Sequence, residues 1–127
     1  MEVRREPIIL GIDLNDRYAM VSYYQLNMKE PETVSTIAGS EEYQIPTLLA
    51  KRKHLGQWFY GEEAKKMAKT SEVICVDSLL KRAVNGESIR MEEDSYEAWE
   101  LLALFMKKVM DLPLKLGTVP CVDRVVL

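Results

Sequence analysis

The first regular pattern is a nearly continuous apolar run over residues 8–14, broken only by Gly11 and Asp13. That pattern suits a strand buried on both faces. Residues 19–26, rich in Val, Tyr and Met, read as a second strand. The short segment 15–18 between them predicts a tight hairpin. Residues 27–31 carry Asn at one end and Pro at the other, which is turn chemistry, and 33–37 read as a third strand. Residues 1–37 therefore predict a three-stranded antiparallel meander.

A polar loop over 38–44 leads to Ile45-Pro46, which is extended because a residue before proline avoids the helical region. Residues 47–50 and 57–60 flank 51–56 and predict a smaller hairpin with a basic tip. Residues 62–69 predict a short helix, with its acidic residues in the first turn and its lysines later, as the helix dipole favours. Residues 71–76 read as either a strand or an extended link. Asp77 or Ser78 is placed to cap a helix over Leu79–Val84, which Asn85-Gly86 stops. Ser88–Met91 reads as a short strand, so 45–92 form a small insertion subdomain.

Asp94 and Glu97 stand at capping-box spacing and predict a helix over 95–110. Trp99, Leu102, Ala103, Met106, Val109 and Met110 share one face, and Leu101, Leu104 and Phe105 widen it. Pro113 and Gly117 close the helix, and 122–127 form a last apolar run that ends in mid-strand. The ending reads as that of a piece of a longer protein. A crossover helix makes strands 8–14 and 122–127 parallel neighbours with a right-handed connection. The expected fold is α/β, a mixed sheet with a hairpin-plus-helix insertion in the ribonuclease-H-like arrangement.

Composition adds limits. The chain has 127 residues, 47% hydrophobic and 29% charged, which is ordinary globular usage for about one domain. Its 20 acidic and 17 basic residues give a net charge of −3 and no basic footprint for nucleic acid. Cys75 and Cys121 read as buried thiols rather than a disulfide framework. No run approaches the ~20 apolar residues of a membrane helix. No signal peptide is recognisable either, so a cytoplasmic location is expected.

Several short segments, taken in order, carry a resemblance. Gly11-Ile12-Asp13-Leu14 resembles the first phosphate motif of the actin-like ATPase superfamily, in the form found in DnaK-type (Hsp70-like) heat-shock chaperones. Ile45-Pro46-Thr47 resembles that family's Thr-Pro-Ser segment. Gly61-Glu62-Glu63-Ala64-Lys65 resembles its Gly-x-x-Ala-Lys. Leu80-Lys81-Arg82 with Asn85-Gly86 resembles its Lys-Arg-Leu-x-Gly. The resemblance implies the N-terminal part of the first lobe of an ATPase domain that binds ATP with Mg²⁺ and couples nucleotide state to protein partners or a client polypeptide. A sugar or acetate kinase of the same superfamily fits less well, because the Lys65 and Lys81-Arg82 pattern is that of the chaperone branch.

The resemblance implies roles residue by residue. Asp13 orients water on the magnesium ion, and Lys65 steadies the terminal phosphate as the catalytic residue. The backbone of Asn15, Asp16 and Arg17 cradles phosphate. Each role has a plainer counterpart: Asp13 as a turn cap, and Lys65 as a solvated lysine beside Glu62 or Glu63. Where the family has Gly-Thr-Thr, this chain has Asn15-Asp16-Arg17. A carboxylate ~5 Å from a phosphate charge costs about 3 kcal/mol at an effective dielectric of 20. The alternative function is therefore a degenerate, non-catalytic actin-like scaffold for protein partners. The basic tip of Lys51, Arg52, Lys53 and His54 reads as a solvated turn, and Trp58, Phe59 and Tyr60 read as packing. A lobe cut from its partner exposes apolar surface, so self-association is expected through helix 95–110 and strand 122–127.

Overall fold

The computed structural model describes residues 7–25, 28–35 and 42–127. The protein is a small mixed α/β domain with several sheets. Strands β1 (Ile9–Leu14) and β2 (Tyr18–Tyr24) pair antiparallel, from Ile9 opposite Tyr24 to Leu14 opposite Ala19. Strand β3 (Glu32–Thr33) adds to β2, as does the two-residue β4 (Ile45–Pro46) at its other end. The last strand, β10 (Arg124–Val126), lies parallel to β1 with Ile9 opposite Arg124. The main sheet thus runs β10-β1-β2-β3, as the crossover argument predicts. The third strand is shorter than its apolar pattern suggests, and residues 36–41 and 26–27 lie outside the described ones.

A second sheet runs β6-β5-β7, built from β5 (Leu49–Arg52), β6 (Trp58–Tyr60) and β7 (Val73–Val76). The ambiguous segment before residue 77 is therefore a strand. Helix α1 (Gly61–Met67) follows β6, and α2 (Leu79–Val84) follows β7. One face of this sheet joins the main core through Leu49 and Val76. The other buries Ala50, Phe59 and Val73 against Ala64 of α1. Gly61 opens α1 with φ +63, and a Cβ there would stand 2.9 Å from Ile45 Cγ2. A side chain would meet both a backbone penalty and a steric one.

The C-terminal half departs from the sequence reading at its start and its end. Asp94 does not cap a helix. Residues Asp94–Glu97 form strand β9, paired with β8 (Ser88–Met91) across a two-residue turn at Glu92-Glu93. Helix α3 begins three residues later than expected and spans Ala98–Lys115. Its capping box is Glu97 and Glu100, with the Glu97 N–H donating to Glu100 Oε1 at 3.4 Å. Pro113 lies inside α3 rather than ending it. It sits in the last turns, where burial of its ring offsets the missing N–H. The stop is Gly117, at φ +71, where the Thr118 N–H reaches the Pro113 carbonyl at 2.9 Å and the Gly117 N–H reaches Leu114 at 3.1 Å. That is a Schellman ending.

The larger of two core clusters joins the main sheet to α3. Leu10, Ile12, Ala19 and Val21 from the sheet meet Ala98, Leu101, Phe105 and Val109 from α3, with Leu79, Ile89 and Met91 closing one side. The buried stripe of α3 is thus rotated from the expected one, and Trp99 stands 61% exposed. Phe105→Ala is expected to lower unfolding free energy by about 3–5 kcal/mol. Trp99→Ala is expected to change it by no more than about 0.5 kcal/mol. Urea titration of both variants checks the assignment of faces.

Candidate functional site

The segment between β1 and β2 holds three of the residues singled out in the sequence. Asn15 organises it. The Asn15 N–H donates to the Tyr18 carbonyl at 3.0 Å, and Asn15 Oδ1 accepts from the N–H groups of Arg17 and Tyr18 at 2.8 and 3.0 Å. Thr47 braces the turn from outside: its hydroxyl donates to the Asn15 carbonyl at 2.8 Å, and its N–H to that of Arg17 at 3.2 Å. Two N–H groups of the loop, those of Arg17 and Tyr18, are therefore already taken by the Asn15 side chain.

Asp16 turns away from the loop. Its Oδ1 accepts from the N–H groups of Leu80 at 2.9 Å and Lys81 at 3.3 Å, in the first turn of α2. Neither Asp77 nor Ser78 supplies that cap. Ser78 occupies the N-cap position at φ +52 without a side-chain bond, and Asp77 stands 3.7 Å from Arg82. The helix is closed by a carboxylate from a distant part of the chain. Negative charge at that position also complements the helix dipole.

Arg17 and Lys65 are exposed and line one cleft of about 610 Å³, together with Thr47, Glu62 and Asp77. Asp13 does not join them. It is exposed on the sheet face opposite Leu10 and Ile12, and it lines a separate shallow cleft of about 390 Å³ with Gly11, Met20, Ser22 and Val126. Among the described residues, no group of three or more His, Cys, Asp or Glu could hold a metal ion. Asp13 and Lys65, which the resemblance assigns to one magnesium–nucleotide site, thus line different clefts. Two of the loop N–H groups bond Asn15, and Asp16 serves a helix.

A second polar cluster was not anticipated. Lys51, expected to be solvated at a hairpin tip, is 7% exposed. Its ammonium lies 3.7 Å from Glu92 Oε1. The His54 N–H donates to the same oxygen at 2.9 Å, and His54 Nδ1 stands 3.0 Å from Oε2. His54 and Glu92 both have positive φ, +64 and +56. Two strained turns thus clasp each other and join the β5–β6 hairpin to the β8–β9 hairpin. Trp58 and Tyr96 meet edge-on beneath the clasp, 5.6 Å apart. The hydrogen bond from the His54 backbone, and then the His54 and Lys51 charges, hold the Glu92 carboxyl below its usual range. No local pattern marks Glu92 for this role, since its partners lie in another hairpin.

The fold and these sites define a small mixed α/β domain whose loop and helix ends are closed by its own carboxylate and amide side chains. A model of the family described as "Family of unknown function (DUF5716) C-terminal" matches residues 30–127, and the chain belongs to that family. No curated protein matches the sequence. No helix among the described residues is long and apolar enough to cross a membrane.

Two measurements test the geometry. Asp16→Ala removes the cap of α2 and is expected to cost about 1 kcal/mol, while Asp16→Asn, which keeps an acceptor oxygen, costs less. Thermal melts of the pair give the order. Glu92 ionises more readily when folded, so it stabilises the fold above the ordinary carboxylate pKa of 4.5. That contribution is lost as pH falls through the lowered folded value. Glu92→Gln leaves Lys51 without its counter-charge, so Tm should drop at neutral pH and fall less steeply on acidification. A parallel decline in both proteins would dismiss the clasp.

Proposed function

We propose that this chain is an actin-like lobe, of ribonuclease-H-like topology, that works as a non-catalytic scaffold for protein partners. The topology is supported by the sheet order β10-β1-β2-β3, with β10 parallel to β1 after an intervening helix. The loss of nucleotide chemistry rests on one observation: the Asp16 carboxylate caps α2 while the Asn15 side chain takes two of the loop N–H groups. A phosphate entering there would displace both sets of bonds and face the Asp16 charge. Each displaced bond is worth about 0.5–1.5 kcal/mol, and hydrogen bonds to a charged group more.

The ATPase reading keeps one point in its favour, because Arg17 and Lys65 line a common cleft beside the loop. The two readings part under calorimetry. On the scaffold reading, ATP with magnesium gives no saturable heat at millimolar concentration. Asp16→Thr, which removes the charge and adds a hydroxyl, then creates no site and lowers Tm. A micromolar dissociation constant for the protein, or an affinity gained by Asp16→Thr, would return the chain to the ATPases.

A further inference from the structure

The scaffold reading leaves open what the domain would hold, and one groove answers to a definite chemistry. It lies between β4, the start of α1 and the end of α3, with a volume of about 470 Å³. Its apolar wall is Pro46, Tyr60 and Leu112, over the buried Ile45. Gly61 contributes bare backbone, since no side chain fits beside Ile45 Cγ2. The rim carries Glu42, Glu62 and Glu63 against Lys66. Pro46 and Glu62 also line the neighbouring Arg17–Lys65 cleft, while none of the groove residues belongs to the Asn15–Arg17 loop itself or to the Glu92 clasp.

The groove wall is preformed. The Tyr60 ring packs edge-on against the fully buried Phe105, with centroids 6.3 Å apart, and the Lys108 ammonium lies 5.8 Å from its centroid. Its half-buried hydroxyl makes no hydrogen bond to any described residue. Burial, and then the negative charges of Asp111 and Glu63, push the phenol up and keep it a proton donor. Among the described residues, neither Glu62 nor Glu63 has a cation within ion-pair distance. An anionic ligand would meet the carboxylates of Glu62 and Glu63, with Lys66 at the rim and Lys108 over the Tyr60 ring as the nearby cations. A ligand with positive charge on either side of an apolar group would match Glu62, Glu63 and the apolar wall, provided its charges lie away from Lys66 and Lys108.

We infer that this groove docks a basic, amphipathic peptide segment of a partner protein, with an apolar side chain on Pro46, Tyr60 and Leu112 and flanking Lys or Arg side chains on Glu62 and Glu63. The Tyr60 hydroxyl donates to a peptide carbonyl. Charge complementarity selects this occupant, and salt weakens it because the carboxylates are exposed. The inference rests on the scaffold reading and names its partner chemistry.

The test uses a fluorescein-labelled peptide of alternating leucine and lysine, read by anisotropy, with a leucine–glutamate peptide as control. Saturable micromolar binding is expected for the basic peptide alone. Glu62→Gln with Glu63→Gln, which spares the fold by adding no charge, should weaken it at least tenfold. Tyr60→Phe, which keeps the ring, should weaken it severalfold. Glu93→Lys, in the distant β8–β9 turn, should leave it unchanged. No binding, equal binding to the glutamine pair, or an equal loss in Glu93→Lys would overturn the inference, the last by revealing only attraction to net charge. A change in sedimentation rather than in peptide binding would also overturn it, by making the groove a contact between copies. Calorimetry with ATP stands apart from these outcomes. If both peptide and nucleotide fail to bind, the groove assignment falls and the scaffold reading stays.

Discussion

Burial of a single stripe of α3 is the constraint on which the other elements depend. Ala98, Leu101, Phe105 and Val109 recur at helical spacing and meet Leu10, Ile12, Ala19 and Val21, which alternate along β1 and β2. Once that stripe is seated, the helix runs back over the sheet and delivers the chain beside β1. The return is then fixed by a short exchange: the Ile8 N–H donates to Asp123 Oδ2 at 2.8 Å, and the Asp123 N–H to the Ile8 carbonyl at 2.9 Å. The small sheet is seated by the same cluster through Leu49 and Val76, and α2 through Leu79. Displacing Phe105 would thus loosen three otherwise separate attachments.

Features set by local chemistry were legible in the sequence, and features set by distant partners were not. Strand β1 follows from its apolar run and β2 from its Val- and Tyr-rich stretch after a short polar turn, although β1 is fully buried only at Leu10 and Ile12 and not on both faces. Helix α2 keeps its expected limits because Asn85-Gly86 is a strong stop. The β8–β9 hairpin was hidden because its turn is Glu92-Glu93, with none of the Asn-Gly signals that mark such turns. A glutamate at φ +56 persists only because His54 and Lys51 hold its side chain from another hairpin. Missing that strand displaced the start of α3 and the phase of its buried face. Lys51 was misjudged for the same reason, since a lysine at a turn is solvated unless something remote covers it.

Asp16 shows how one residue bears on two readings of a site. Seen as sequence, it is a charge set where a phosphate loop should be neutral. In the fold, the same charge sits on the amide groups of α2 and is favourable there. The two uses exclude one another, because a carboxylate that satisfies a helix terminus is not free to move aside for an anion. The Asn15 amide strengthens the point. Its oxygen accepts from the Arg17 and Tyr18 N–H groups, which are therefore not open to an anion.

The candidate sites also differ in how rigidly they are held. Both clefts carry exposed, long side chains at their rims, Arg17, Glu62 and Lys65 in one and Glu62, Glu63 and Lys66 in the other, whose ordering costs up to about 2 kcal/mol each when they bind. The groove at Tyr60 draws its wall from elements fixed by two different clusters: Ile45 and Phe105 by the main core, and α1 by Ala50, Phe59 and Ala64. Its aromatic ring already packs on Phe105, so the wall itself loses little order on binding, unlike the rim carboxylates. Preorganisation of that kind raises affinity by removing entropic cost rather than by adding contacts. That difference sets the Tyr60 wall, fixed before anything binds, apart from the long polar side chains at the rims of both clefts.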